Sequence, residues 1–345
     1  MIKKVLITDS FSKHSIALLK YLNKENNDIE IYGHTNDLKL YKSIIKNFYY
    51  NKVFFGDLKS IIKKHNSKFD FVIPVWAESV LYLSSIDYKK TIIPNNKQIN
   101  LCFDKFLINE KMNLFGIKFP KTFLLSQYNN ELKYKNIIIK HRNELNKGDI
   151  DYINRGEKIN FLKTNNKIVQ EKIEGVGRGF FAFYKEGKLI NYYMHERVRE
   201  IPFSGGPSIA AKTIYDEKLY KIGKKILDNL SWNGVAMVEF KYDKINDEYY
   251  FIEINPKFWG SLELGLKSGI NFGKVLVDSY FNKIEHKITY SKGIKFYWPL
   301  DGDIITIFNE RKLFIISDYL KFDYHTNVTL KLLLFKFIKM IVKIF

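Results

Sequence analysis

Two strand-forming runs, Val235–Tyr242 and Tyr249–Asn255, sit close together in "VAMVEFKYDKINDEYYFIEINPKFWGSLELGLKSG" (235–269), and each carries acid where a core-filling strand has no use for it. Side chains two apart on an extended strand point to one face. Met237, Glu239 and Lys241 therefore share one side of the first strand, and Phe251, Glu253 and Asn255 one side of the second. A five-residue connection, Lys244–Glu248, sets Glu239 opposite Glu253. A loop one residue shorter or longer turns them to opposite faces, because a one-residue slip inverts every side chain.

Facing carboxylates repel unless a cation sits between them. One reading leaves both acids in water. The apolar flanks Val238, Phe240, Ile252 and Ile254 favour a buried hairpin instead, where an uncompensated carboxylate pair is costly. Two carboxylates and an amide oxygen, from Glu239, Glu253 and Asn255, form a hard oxygen set suited to Mg²⁺ or Mn²⁺ that also holds phosphate oxygens.

The first hundred residues alternate short apolar runs (Val5–Thr8, Ile29–Tyr32, Val53–Phe54, Phe71–Pro74, Ile92–Ile93) with amphipathic stretches such as Ser15–Leu22 and Leu58–His65. That alternation predicts a parallel, doubly wound sheet. The loop after the first strand, "TDSFSKHS", has no Gly-x-Gly-x-x-Gly, so a dinucleotide fingerprint is absent. From Asp104 the pattern turns to α+β. A helix stopped at Gly116 is followed by the strand "NIIIKH" and a polar stretch to about Asn166. A long hairpin closed at Glu186-Gly187, a helix at Asp216–Leu230 and the acidic hairpin come next, then a helix Leu262–Ser268 ending at Gly269.

A net charge of +19 raises nucleic acid as a partner, but the lysines are spread along the chain without a nucleic-acid motif, so none is expected. The single cysteine, Cys102, excludes an intrachain disulfide and a cysteine zinc site. The apolar run of "MIKKVLITD" is too short for a secretory signal, and a cytoplasmic location is expected. The segment "TLKLLLFKFIKMIVKIF" (329–345) is apolar but broken by Lys331, Lys336, Lys339 and Lys343, the last three on one helical face. It is too short and too charged for a comfortable span; it fits an amphipathic helix on an anionic membrane, or a terminal helix docked on its own protein.

The stretch "VEFKYDKINDEYYFIEINPKFWGSLEL" resembles the closing metal-binding hairpin of the ATP-grasp superfamily, in particular its carbamoyl-phosphate-synthase-like carboxylate–amine ligases, where Glu on one strand is followed by Glu-x-Asn-x-Arg-x-x-Gly-Ser on the next. The segments "VQEKIEG" and "HERVREIP…GGPS" extend the likeness over roughly residues 100–285. The resemblance implies a pre-ATP-grasp domain over 1–103, a small lid subdomain over 104–185, a large subdomain with the metal hairpin over 186–290, and an extension over 291–345.

It also implies site residues. Glu239, Glu253 and Asn255 would hold one or two Mg²⁺ ions bridging the β- and γ-phosphates of ATP, and Lys105 and Lys140 would reach those phosphates. Gln170, Glu171, Lys172 and Ile173 match the linker along the adenine edge, with Glu171 and Ile173 presenting main-chain groups. Arg197 and Arg199, two apart and expected on one face, would line the acceptor end, and "SGGPS" (204–208) could close over substrate. His195 is expected to be structural. Lys257 stands where the family usually has arginine, keeping the charge but losing the two-pronged grip. The lid stretch "KHRNELNKGDIDYINRG" lacks the small-residue turn that best cradles phosphate. The implied activity is Mg²⁺-dependent joining of a carboxylate, from a small molecule, glycan or peptide, to an amine or thiol through an acyl phosphate; the alternative is a nucleotide-binding, catalytically impaired scaffold or regulator at a membrane surface.

Overall fold

The apolar runs of the first 75 residues form a parallel sheet of β1 (Lys3–Ile7), β2 (Ile29–Thr35), β3 (Lys52–Phe55) and β4 (Phe71–Ile73), in the order β3-β2-β1-β4. Between them run α1 (Lys13–Glu25), α2 (Leu38–Lys42) and α3 (Leu58–His65). The computed structural model describes residues 2–25, 28–42, 50–132, 135–146, 150–157, 163–200, 206, 208–282 and 289–298. The basic segment 329–345 and most of 204–208 lie outside them. Val5, Leu6, Ile7, Phe71, Val72 and Ile73 are wholly buried, as central parallel strands covered on both faces require.

The chain divides into two compact units, one of Met1–Val75, Asn191–Tyr215 and Phe258–Phe345, the other of Trp76–Ile190 and Asp216–Lys257. In the second unit α4 (Ala77–Ser85), α5 (Asn96–Phe103) and α6 (Leu107–Leu114) come first. Ile92–Ile93, expected as a strand, belongs to no element; Pro94 follows, and Asn95 caps α5 in a reciprocal pair with Gln98. Ile93 nevertheless packs on the cluster of Ala77, Val80, Ile99 and Phe103.

The unit continues with an antiparallel sheet of β5 (Thr122–Leu124), β6 (Ile137–His141), β7 (Asp151–Ile153) and β8 (Lys167–Glu171), in the order β5-β8-β6-β7. Ile137, Ile139 and Val169 bury one face of it with Leu125, Tyr128 and Leu132. The two-residue period then turns Ile138 and Lys140 of β6, with their cross-strand partners Gln170 and Ile168, to the other face. β9 (Val176–Lys185) turns back through Glu186 (φ 51°) and Gly187 (φ 76°) into β10 (Lys188–Glu200), the two left-handed residues a type I′ hairpin turn requires.

In the first unit β10 pairs antiparallel with β11 (Ser208–Ile214). The second unit resumes with α7 (Glu217–Asn229), capped by Asp216, then β12 (Gly234–Asp243) and β13 (Glu248–Asn255), with β12 between β9 and β13. The first unit ends in α8 (Leu262–Ser268), α9 (Phe272–Tyr280) and β14 (Lys295–Tyr297), the last paired with β11. Both helices pack on α1.

Candidate functional site

Glu239 does stand opposite Glu253, but by a route the loop count does not reveal. The connection is Lys244–Asp247, one residue shorter than expected, and pairing starts from Asp243 with Glu248. The register then shifts between Phe240/Phe251 and Glu239/Glu253, so Ile252 is an extra residue. A bulge adds one residue to one strand and re-aims the side chains beyond it. It corrects the expectation for Phe251, which pairs with Phe240 and is buried with it instead of sharing a side with Glu253. The amide of Phe251 donates to the Lys118 carbonyl (2.8 Å) at that point.

Beyond the bulge the three oxygen-bearing side chains gather. Asn255 Nδ2 donates to Glu253 Oε1 (2.6 Å), and Lys257 Nζ donates to Asn255 Oδ1 (3.0 Å). Burial opposes the charge on Glu253, but Lys105, the Asn255 hydrogen bond, Lys140 and Lys257 outweigh it and hold the carboxyl below the ordinary range. Among the described residues no three His, Cys, Asp or Glu side chains form a metal cluster. A cation here would therefore take two carboxylates and an amide and complete its shell from phosphate and water. The donors fit a hard divalent ion: every ligand atom is an oxygen, and the two carboxylates occupy paired positions on adjacent strands.

Lys140 reaches this cluster from the facing side of β6. It is 9% exposed, and among the described residues its ammonium has no hydrogen bond or ion pair. Burial, with a smaller effect from Lys105, lowers its pKa to about 8, against the support that Glu253, Glu144 and Glu239 give the charge. Lys105, ahead of α6, pairs with Glu144. The sequence reading missed Glu144; its only signal was an acid where a small-residue turn was expected. It belongs to a short strap. Lys105 N–H donates to the Arg142 carbonyl (2.9 Å), Glu144 N–H to the Phe103 carbonyl (2.9 Å), and Arg142 grips Asp104 through Nε (2.9 Å) and Nη2 (2.7 Å).

The linker is partly committed to the fold. Gln170 Nε2 donates to Thr122 Oγ1 (2.9 Å), Glu171 N–H to the Lys121 carbonyl (2.9 Å), and Lys172 N–H to the Asn136 carbonyl (2.8 Å). Glu171, expected to present main-chain groups, has therefore spent its donor. Ile173 has no main-chain partner among the described residues, and the side chains of Glu171 and Lys172 pair with Lys135 (3.1 Å) and Glu174 (2.9 Å).

In the other unit the two arginines do not share a face. Arg197 pairs with Ala211 and Arg199 with Ala210, so Val198 is a bulge and the alternation breaks between them. Arg199 lies over the ring of Tyr297 (5.1 Å), the next residue in its cross-strand row, whereas Arg197 Nη1 donates to the Gly206 carbonyl (2.9 Å) and to Glu200 Oε1 (3.3 Å). Buried His195 is held well below the ordinary imidazole range, first by burial and then by Arg197. The run after Lys257 is an anchor: Trp259 Nε1 donates to Tyr193 Oη (3.0 Å), and Tyr193 Oη to the Ser261 carbonyl (3.2 Å).

One antiparallel sheet thus carries Lys140 on β6, and the adjacent strands β12 and β13 carry Glu239, Glu253 and Asn255. Residues 102–261 match the ATP-grasp domain family, and the chain carries an ATP-grasp domain there. Over 90 residues it is 32% identical to a D-aspartate ligase of Enterococcus faecium, a match covering 26% of this chain and 21% of that protein, so it spans about a fifth of the length of that relative. In fold it resembles N5-carboxyaminoimidazole synthetase from Staphylococcus aureus (TM-score 0.69, 15% identity, 89% of this chain and 85% of the other). It also resembles biotin carboxylase from Campylobacter jejuni (TM-score 0.67, 14% identity, 86% and 74%).

Proposed function

We propose that this chain is an Mg²⁺-dependent, ATP-consuming ligase that joins a carboxylate to an amine. The observation that carries the reading is Lys140, a largely buried lysine without a hydrogen-bonded partner among the described residues, set against Glu239 and Glu253. Such a cation is costly unless a ligand completes it. A triphosphate supplies the missing acceptors, and Mg²⁺ on Glu239, Glu253 and Asn255 would neutralise the developing charge. D-aspartate ligase, by its name, acts on an amino acid, which supports a carboxylate substrate here.

Lys105 and Lys140 orient the β- and γ-phosphates, and Ile173 offers its open main chain to the base. The substrate carboxylate oxygen attacks the γ-phosphorus as the bond to ADP breaks. An amine then attacks the acyl carbon, its proton is lost, and orthophosphate leaves. Positioning and charge neutralisation carry such a transfer, without a covalent protein nucleophile. Arg197 and Arg199 are kept as the acceptor-side cations, Arg197 engaged by Glu200 and Arg199 stacked over the ring of Tyr297. The four-part division at 103/104, 185/186 and 290/291 belongs to the same proposal, as does a cytoplasmic protein touching an anionic membrane through 329–345. Among the described residues no helix is long and apolar enough to cross a membrane.

The test is thermal unfolding with and without MgADP, on wild type and on Glu253→Ala. Ligand at about a hundred times its Kd stabilises by about 2.7 kcal/mol. A shift in wild type that Glu253→Ala loses supports the site; no shift at millimolar nucleotide overturns it.

A further inference from the structure

The strap after Lys140 replaces the missing small-residue turn with three charged or amide side chains, Arg142, Asn143 and Glu144, and each has a place. Arg142 holds Asp104, Asn143 bridges to Asp104 through the backbone, and Glu144 pairs with Lys105. The first two contacts tie the strap down at the foot of α6. The third does something different, because Lys105 is one of the cations a phosphate would need. Its side chain is 13% exposed, that of Glu144 33%. Both groups act on the cluster: Glu144 supports the charge on Lys140, and Lys105 is the largest influence favouring the ionised Glu253.

We infer that Glu144 is an internal stand-in for a phosphate, holding Lys105 until nucleotide displaces it. The inference rests on the nucleotide reading above. An incoming phosphate competes with a carboxylate for the same ammonium and is repelled by that carboxylate. Glu144 therefore lowers affinity for phosphate-bearing ligands, while keeping Lys105 aimed into the site when none is bound. The backbone bond from Glu144 N–H to Phe103 holds the strap in either state, so only the side chain has to move. Glu144 is thus a specificity-setting residue, favouring ligands with enough phosphate charge to win the competition.

The experiment is calorimetric titration of the full chain with MgADP and, separately, with adenosine, for wild type, Glu144→Gln, Lys105→Gln and Lys105→Gln/Glu144→Gln. Glu144→Gln is expected to bind MgADP about fivefold more tightly, about 1 kcal/mol, with adenosine affinity unchanged. In the Lys105→Gln background the substitution should bring no gain. Glu144→Asp keeps charge and backbone bond but withdraws the carboxylate, and should give a smaller gain in the same direction if the glutamine variant does not fold. Equal or weaker MgADP binding by both variants overturns the inference, as does an equal gain for adenosine. If wild type binds MgADP and the variants bind no tighter, this inference alone falls. If nothing binds, the nucleotide reading falls with it.

Discussion

Replacing Lys140 with methionine should make the ligand-free protein more stable. Burial moves the lysine from 10.5 to about 8. At about 1.4 kcal/mol per pKa unit, keeping it charged at pH 7 costs the fold about 3 kcal/mol. The variant forfeits Lys140's help to Glu253, a smaller contribution than those of Lys105 and the Asn255 hydrogen bond. That leaves a net gain of about 2 kcal/mol. The sign follows from proton counts. Below pH 8 folded and unfolded chains both hold the lysine proton, and the penalty is constant. Between about 8 and 10.5 the unfolded chain holds the extra proton, so wild-type stability rises with pH relative to the variant. Urea denaturation at pH 7 and 9.5 should show the gap narrowing, while MgADP stabilises only wild type. A Lys140→Met protein that is less stable than wild type at pH 7, by a margin independent of pH, would refute the reasoning and make Lys140 a satisfied structural cation.

Three further outcomes are expected. Gly175→Ala places a Cβ 2.5 Å from the Tyr242 carbonyl oxygen and 2.9 Å from its carbon, backbone atoms that cannot swing aside; chemical denaturation should show a loss of about 1–3 kcal/mol, and a neutral result would mean the linker can yield. Asp216→Ala removes the cap on Leu219 N–H (2.9 Å) and the acceptor shared by Arg178 (2.9 Å) and Tyr249 (2.8 Å). It should cost about 2–4 kcal/mol, against a smaller loss for Asp216→Asn. Deleting 329–345 should abolish co-sedimentation with anionic vesicles, given about 1 kcal/mol per lysine near such a surface; unchanged sedimentation, or a fall in folded stability instead, would favour a tail docked on the protein.

Much of the fold was legible because period-two and helical patterns alternate plainly up to Phe71–Ile73, and because Asp216, Glu186-Gly187 and Gly269 punctuate the later elements. What failed were single-residue irregularities. Ile252 and Val198 each add one residue to a strand, and nothing in their chemistry distinguishes them from regular strand residues. At Ile252 two errors cancelled, a loop one residue too long and an unseen bulge, so Glu239 still met Glu253. At Val198 nothing compensated, and the two arginines parted. Glu144 was hidden for another reason: its role depends on a partner 39 residues away in sequence.

The cluster also bears on whether the site is a relic. Lys105, Lys140 and Lys257 stand against Glu144, Glu239 and Glu253, yet the charges are not simply paired off. Lys105 has its carboxylate, and Lys257 has the amide of Asn255. Lys140 has neither, although it is the most buried of the three. A cluster kept only for stability gains by closing each charge on a partner, or by exchanging the buried cation for an apolar side chain of like volume. An open ammonium beside two carboxylates is what a site must retain if an anion and a cation are to arrive together, and Glu144 limits the excess positive charge until they do.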